Sequence, residues 1–350
     1  MSGQVSNKHS LDGQLRPVEN DDVCIIDDLD DVGIIQDQNV VYVVRDQNAM
    51  YYAAKNGRER FTRTLLGEDI HPDSNTDKGL RTALAVAVRF SRGFGGGGDD
   101  HPRTQEDRHR SIVRMLLAHG ADPLKKFAFD GSCALHEAAS GTNGPEMIGI
   151  LIDHVILNQI PLAFEATDSS GQTLLHWACM SNPFSNAAVA SILLDHVDDG
   201  VDPSAPDDDG NTPLHISSIP PHVLNVLVQG GANVNRRNDA GETPLFRIAR
   251  SHDGYQEEKV EKVRSLLIAG ADPSITNRWG WTPEYASRYI NKDVSEVLRQ
   301  ARITREAEAA LELSRQRSVA FCMGQHPRLG IHANYCSFDP NLLHFIIDYI

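Results

Sequence analysis

The chain has 350 residues, of which 40% are hydrophobic, so it is long enough for about one to three domains with a sizeable core. Its 33 Lys and Arg against 48 Asp and Glu give a formal net charge of -15, which disfavours nucleic acid and favours protein partners with a basic or neutral surface. No apolar run approaches the ~20 residues that span a bilayer, and five scattered cysteines are typical of a reducing compartment. We therefore expect no membrane partner and a location in the cytoplasm or nucleus.

Residues 1–46 contain ten acidic residues against three basic ones, and the sequence predicts a mostly disordered acidic arm. A short apolar run followed by acids lies within this arm: Val23, Cys24, Ile25, Ile26, Asp27 and Asp28. This run resembles a SUMO-interacting motif, and the resemblance implies that it adds a strand to the sheet edge of SUMO. Alternatively, the apolar residues simply pack against the first repeat.

Residues 47–300 repeat two short signatures. Thr-Pro-Leu-His at 212–215 recurs as Thr-Pro-Leu-Phe at 243–246, and in weaker form near residues 48, 82, 133, 173 and 282. The second signature is Leu-Leu followed by Gly-Ala-Asp-Pro, found complete near 116–123 and 266–273.

These signatures resemble the ankyrin repeat, whose unit of about 33 residues is a turn and two antiparallel helices. The resemblance implies an all-α solenoid of six or seven helix pairs with short β-hairpin loops, followed by C-terminal helices. The physical reasons are visible in the residue types. Proline suits the first turn of a helix, where its missing N–H costs nothing, and glycine suits the left-handed residue that ends a helix.

No catalytic constellation is present, and we predict neither enzymatic activity nor a cofactor. Gly95–Gly98 lacks the Lys-Ser/Thr of a phosphate-binding loop, so a flexible insertion is expected there. His136, His176 and His215 occupy the fourth position of the first signature, where the imidazole is expected to bond to the neighbouring turn.

We predict that residues 301–350 form a helical extension or cap of the last repeat, with helix over 294–323. Residues 339–347 are similar to the opening helix of an F-box, although the chain given is too short for a whole one. Residues 301–350 also contain four Cys and His side chains, but their spacing is uncommon and fits no usual zinc finger. We therefore predict no metal site here, and a zinc site formed by these four residues is the alternative. This set is Cys322, His326, His332 and Cys336.

The resemblance further implies that a partner contacts the hairpin tips and the adjoining first helices. The candidate residues surround the glycine of each tip: Phe127, Phe129, Asp130, Thr167, Ser169, Gln172, Asp208, Asp209, Asn211, Arg237, Asp239, Glu242, Thr276, Arg278, Trp279 and Trp281. Trp and Arg are enriched at binding hot spots, and we expect Trp279 to be exposed and Trp281 half buried. The acids at 207–209 either steer a basic surface towards the middle repeats or form a solvated loop.

The predicted function is therefore a protein–protein interaction scaffold or adaptor that uses the hairpin tips and concave face of an ankyrin array. The alternative is a substrate-recruiting adaptor of a ubiquitin-ligase complex that docks through its C-terminal helix.

Overall fold

The structure is a computed structural model, and helices dominate it. It describes residues 17–19, 36–37, 40–42, 49–67, 70–73, 81–91, 102–140, 144–160, 163–180, 186–252 and 255–325.

Seven successive pairs of helices make up residues 49–325 of the described chain. Each pair has a first element of three to eight residues and a second helix that lies behind it. The pairs, in chain order, are α1 Ala49–Lys55 with α2 Glu59–Gly67, α3 Ala83–Phe90 with α4 Pro102–Ala118, α5 Ala134–Ser140 with α6 Gly144–Leu157, α7 Leu174–Met180 with α8 Asn186–Leu194, the 3-10 helix Pro213–His215 with α9 Pro221–Gln229, α10 Pro244–Arg250 with α11 Gln256–Ile268, and α12 Pro283–Ser287 with α13 Lys292–Gln325. A further 3-10 helix, Val197–Asp199, follows α8.

Threonine side chains start several of the first helices, as the first signature predicts. The Oγ1 atoms of Thr82, Thr243 and Thr282 accept hydrogen bonds from the backbone N–H three residues later, at 3.2 to 3.3 Å. Each bond satisfies one donor that the helix leaves without a partner, and such a cap stabilises a helix by about 1 kcal/mol. Pro244 and Pro283 follow at the first helical position, where their missing N–H costs nothing.

The helix pairs share one continuous apolar interior. Leu116, Leu193, Leu227 and Leu266 come from four different second helices, and all four are fully buried in the same core cluster. Small residues of the first helices, such as Ala138, are also fully buried and allow neighbouring pairs to approach closely. The predicted solenoid, in which each pair covers the apolar wall of the next, is thereby confirmed.

The fifth pair departs from the others because its first helix is reduced to a single 3-10 turn. Pro220 and Pro221 end this segment, and a residue that precedes proline avoids the helical region of backbone conformation. Pro221 instead occupies the first position of α9, which has nine residues.

Three short strands lie in the acidic arm, which the sequence analysis did not predict. Strand β1 (Pro17–Glu19) pairs with β3 (Val40–Tyr42), and β3 pairs with β2 (Gln36–Asp37), both antiparallel. The SUMO-like run from 23 to 28 lies outside the described residues.

The last helix, α13, has 34 residues and includes the segment 294–323 for which helix is predicted. Val294 and Leu298 are fully buried, whereas residues 303–317 are exposed. The predicted boundary at residue 300 therefore falls inside one continuous helix, whose first turns pack against α11 and α12. Among the described residues, no helix is both long and apolar enough to cross a bilayer.

Candidate functional site

Five hairpin tips form one row along the stack, and we call this surface the tip row. Their central residues are Gly131, Gly171, Gly210, Gly241 and Gly280, whose φ angles lie between 65° and 77°. Glycine adopts this left-handed conformation without the steric cost that a Cβ would bring.

Backbone hydrogen bonds join each tip to the next. The amides of Ser169, Asp208, Asp239 and Arg278 donate to carbonyls of the preceding tip at 2.9 to 3.1 Å. Because these bonds link successive repeats, the tip row has a fixed spacing and direction.

A side-chain oxygen also locks the inside of four tips. The Oδ1 atoms of Asp168, Asp207, Asn238 and Asn277 each accept two backbone N–H groups of their own tip, at 2.8 to 3.0 Å. Asp and Asn favour such turns because their short side chains reach the backbone two residues on. A surface held in this way loses little conformational entropy when a partner binds.

The three histidines of the first signature are structural, as the sequence analysis predicts. Nε2 of His136, His176 and His215 donates to a backbone carbonyl of the next repeat at 3.0 to 3.3 Å. Nδ1 accepts the N–H at the start of its own first element at 3.0 to 3.3 Å. Burial lowers the pKa of His136 and His215 from 6.5 to about 4, and it lowers the pKa of His176 as well.

Most of the predicted partner-binding residues reach the surface of the tip row. Phe129, Ser169, Asp208, Asp209, Arg237, Asp239, Arg278, Trp279 and Trp281 are exposed. Asp130, Thr167, Gln172, Asn211 and Thr276 are partly exposed.

Two of the predicted residues are buried, and the surface therefore excludes them. Phe127 is 4% exposed, and the Arg81 guanidinium lies 5.4 Å from the centre of its ring. Glu242 is 1% exposed, and its carboxylate pairs with Arg250 at 2.5 Å. Both predictions were wrong because position in a tip does not reveal which side chains turn towards the core.

An aromatic cluster closes the tip row at the seventh repeat. The ring centres of Trp279 and Trp281 are 6.2 Å apart, and Tyr285 lies 5.5 Å from Trp281. Their side chains are 63%, 49% and 48% exposed, in that order. Tyr285 was not among the residues predicted from the sequence, although its place in the first turn of α12, just after the tip, was a usable signal.

Acidic side chains occupy the middle of the tip row. Asp208 and Asp209 are exposed, whereas the neighbouring Asp207 is partly exposed and held by its own turn. In the next tip, Asp239 is exposed as well. The Gly210 tip therefore presents negative charge to an approaching protein, whereas at the next tip the exposed Arg237 accompanies Asp239.

Two buried glutamates, Glu137 in α5 and Glu242 just before α10, each hold a pair of arginines, a feature that was not predicted from the sequence. Glu137 is 2% exposed and pairs with Arg81 at 2.6 Å and Arg89 at 3.2 Å. Glu242 pairs in the same way with Arg250 and, at 3.8 Å, with Arg247. Each buried carboxylate therefore faces two cations, and all four arginine side chains are partly exposed.

The predicted zinc alternative lies at the edge of the described chain. Cys322 belongs to α13, and His326, His332 and Cys336 lie outside the described residues. In the part of the chain that the structure describes, no group of three or more His, Cys, Asp or Glu side chains is placed to hold a metal ion.

Comparisons with known proteins agree on the repeat. Residues 104–207 and 135–238 match the family model described as ankyrin repeats in three copies. An ankyrin repeat-containing protein of Schizosaccharomyces pombe is 39% identical over 86 residues, covering 22% of this chain and 42% of that protein. An E3 ubiquitin-protein ligase of Arabidopsis thaliana, KEG, is 30% identical over 179 residues, covering 51% of this chain and 9% of that protein.

The fold resembles a solved ankyrin repeat domain. The domain of Bcl-3, described as a unique member of the IkappaB protein family, superposes with a TM-score of 0.50 at 24% identity. The match covers 72% of this chain and 97% of that chain. The chain spans less than half the length of the two curated relatives it matches above.

Proposed function

We propose that this chain, whose helix pairs are ankyrin repeats, is a scaffold or adaptor that binds a partner protein on its tip row and first helices. Ankyrin repeats imply protein–protein interaction. The observation that carries the proposal is the tip row itself, which is exposed and fixed by hydrogen bonds between repeats. The role proposed is binding rather than catalysis, in the cytoplasm or nucleus.

The charge and residue types of the tip row indicate the partner's chemistry. Asp208 and Asp209 favour a basic or neutral protein surface at the Gly210 tip. Trp279 and Trp281 offer large, rigid side chains that become hot spots when a partner covers them.

Affinity purification with the full chain tests this proposal. We compare the unchanged protein with Asp208→Asn plus Asp209→Asn, and with Trp279→Ala. The matched control is Glu257→Gln plus Glu261→Gln, which removes two exposed charges from α11 on the opposite side of the repeat.

We expect the two tip changes to lose the same interactors and the control to keep them. Loss of a hot-spot tryptophan typically weakens binding by 2 kcal/mol or more, about thirtyfold. If the same interactors survive both tip changes, the proposed surface is wrong.

A second candidate function is a substrate-recruiting adaptor of a ubiquitin-ligase complex. The similarity to an E3 ubiquitin-protein ligase favours it, although the match covers only 9% of that protein. In this form the repeats hold the substrate and the C-terminal segment docks to the ligase core. Pull-down of a ligase core by the full chain, and its loss on changing Leu342 and Leu343 to Ala, would distinguish this role from that of a plain scaffold.

The proposal also includes SUMO as a partner of the acidic arm, through the apolar residues Val23, Ile25 and Ile26. Binding of purified SUMO to the full chain, with Ile25→Ala plus Ile26→Ala as the variant, is the corresponding measurement.

A further inference from the structure

We call the boundary between two successive repeats a seam. A hydrogen bond recurs at these seams, on the side of the loops that connect the repeats. At three seams a side chain of one repeat accepts the backbone N–H of the next: Asp73 from Asp122 at 2.9 Å, Ser204 from Asn233 at 2.8 Å, and Asn235 from Asp272 at 2.8 Å. Ser204 and Asn235 each lie six residues before the glycine of their tip. Each of these bonds joins two successive repeats directly.

The seam between the fourth and fifth repeats differs. Glu165 occupies the equivalent position, six residues before Gly171, and Asp202 carries the equivalent backbone N–H. Among the described residues, no hydrogen bond joins Glu165 to Asp202, and the carboxylate of Glu165 has no hydrogen-bond or ion-pair partner. Glu165 is exposed.

A cavity of about 370 Å³ opens at this seam. The residues that line it include the apolar Leu174, Leu175, Val201 and Pro206 and the acidic Glu165 and Asp202. Its size lies at the small end of the range for ligand sites, about 300–1,000 Å³. The cavity therefore combines apolar walls with two negative charges.

We propose that this cavity receives a lysine or arginine side chain of the partner protein, with the aliphatic stem on the apolar wall and the cationic head between Glu165 and Asp202. This inference rests on the proposed function. Long basic side chains bury their methylene groups against apolar surface while the charge is paired, which matches both features of the cavity.

The charges around the cavity support a cation as the occupant. Oδ1 of Asp202 accepts the N–H of Ser204 at 2.8 Å, and the carboxylate keeps its negative charge while doing so. Lys126 also reaches this region, where its ammonium donates to the carbonyl of Thr167 at 2.7 Å. With Asp207 next to Pro206, acids still outnumber this single lysine at the seam.

The test uses fluorescent dodecapeptide pools, each randomised except for one fixed residue, which is Lys, Arg, Glu or Leu. Binding to the full chain is measured for the unchanged protein and for Glu165→Gln plus Asp202→Asn. Both changes keep the size of the side chain, and Asn retains the oxygen that accepts the Ser204 amide. The control is again Glu257→Gln plus Glu261→Gln, which changes the net charge by the same amount.

We expect the Lys and Arg pools to bind best, and the cavity variant to weaken their binding by at least about tenfold, because it removes both charges that would pair with the cation. The control should stay within about twofold of the unchanged protein. A preference for the Leu pool, or no preference, overturns the inference. Equal weakening by both double variants also overturns it, because long-range charge alone then explains binding.

The outcomes separate this inference from the proposed function. If the tip-row variants still lose their interactors while the cavity variant keeps them, only the cavity assignment fails. Should the paired change disturb folding, Glu165→Gln alone affects an exposed side chain and provides the same comparison.

Discussion

At the residue scale, the histidines of the first signature show how one side chain connects two repeats. His215 is 1% exposed and bridges the start of its own 3-10 turn to the carbonyl of Glu242 in the next repeat. Only the neutral imidazole can accept at Nδ1 and donate at Nε2 together. Protonation therefore breaks one of the two bonds and places a charge in the core.

This arrangement predicts that stability falls in mild acid. The pKa of His136 and His215 drops from 6.5 in the unfolded chain to about 4 in the folded one, so the unfolded chain binds more protons between these values. The contribution is complete above pH 6.5 and is lost as the pH falls towards 4, by about 3 kcal/mol for each histidine.

Urea denaturation at pH 7.5, 6.0, 5.0 and 4.5 measures this effect. We expect His215→Gln to flatten the decline, and His222→Gln, at an exposed position of α9, to leave it unchanged. An identical pH profile for His215→Gln and the unchanged protein would contradict the assignment.

The sequence did not predict whether each side chain of a tip points outward or into the core. The first signature located the five described tips, because a glycine lies two residues before the first position of each copy. Phe127 and Glu242 nevertheless turn inward, and the arginine partner that holds each of them, Arg81 or Arg250, is not specified by the spacing of the signature.

At the element scale, the second helices hold the stack together through aliphatic side chains. Leu266 of α11 is fully buried in the shared interior, whereas Leu311, in the later part of α13, is 55% exposed. A leucine therefore contributes differently to the free energy of unfolding in these two neighbouring helices.

Leu266→Ala should lower the free energy of unfolding by about 2–5 kcal/mol, because it removes buried methyl groups and leaves a cavity. Leu311→Ala should change it by no more than about 0.5 kcal/mol. Chemical denaturation of the full chain measures both values. Equal effects of the two changes would mean that α11 does not line the interior.

The helices were predictable and the strands of the arm were not, for physical reasons. Helix pairs follow from local signals, namely the Thr-Pro start, the paired leucines and the final glycine. The pairing of Pro17 with Tyr42 joins segments that are distant in sequence, and two- and three-residue strands give almost no alternating pattern to detect. Likewise, the cavity beside Glu165 lies between two repeats, so no local sequence pattern predicts it.

At the scale of the whole molecule, stacking converts separate tips into one surface. In a stack of this kind each repeat contacts its neighbours, so the order of the tips along the row follows the order in which the repeats stack. Besides the exposed Phe129 of the third repeat, the surface has two distinct regions, namely exposed acids at the Gly210 tip and the aromatic cluster of the last repeat. A partner that recognises both regions must span at least three repeats.

Site-specific photo-cross-linking tests this surface most directly. A benzophenone amino acid replaces Asp208, Trp279 or, on the outer side of the stack, Glu257 of the full chain, and adducts are collected after irradiation in cells. We predict that positions 208 and 279 cross-link to the same partner protein and that position 257 does not. Adducts that form at position 257 but at neither tip position would contradict the tip row as the binding surface.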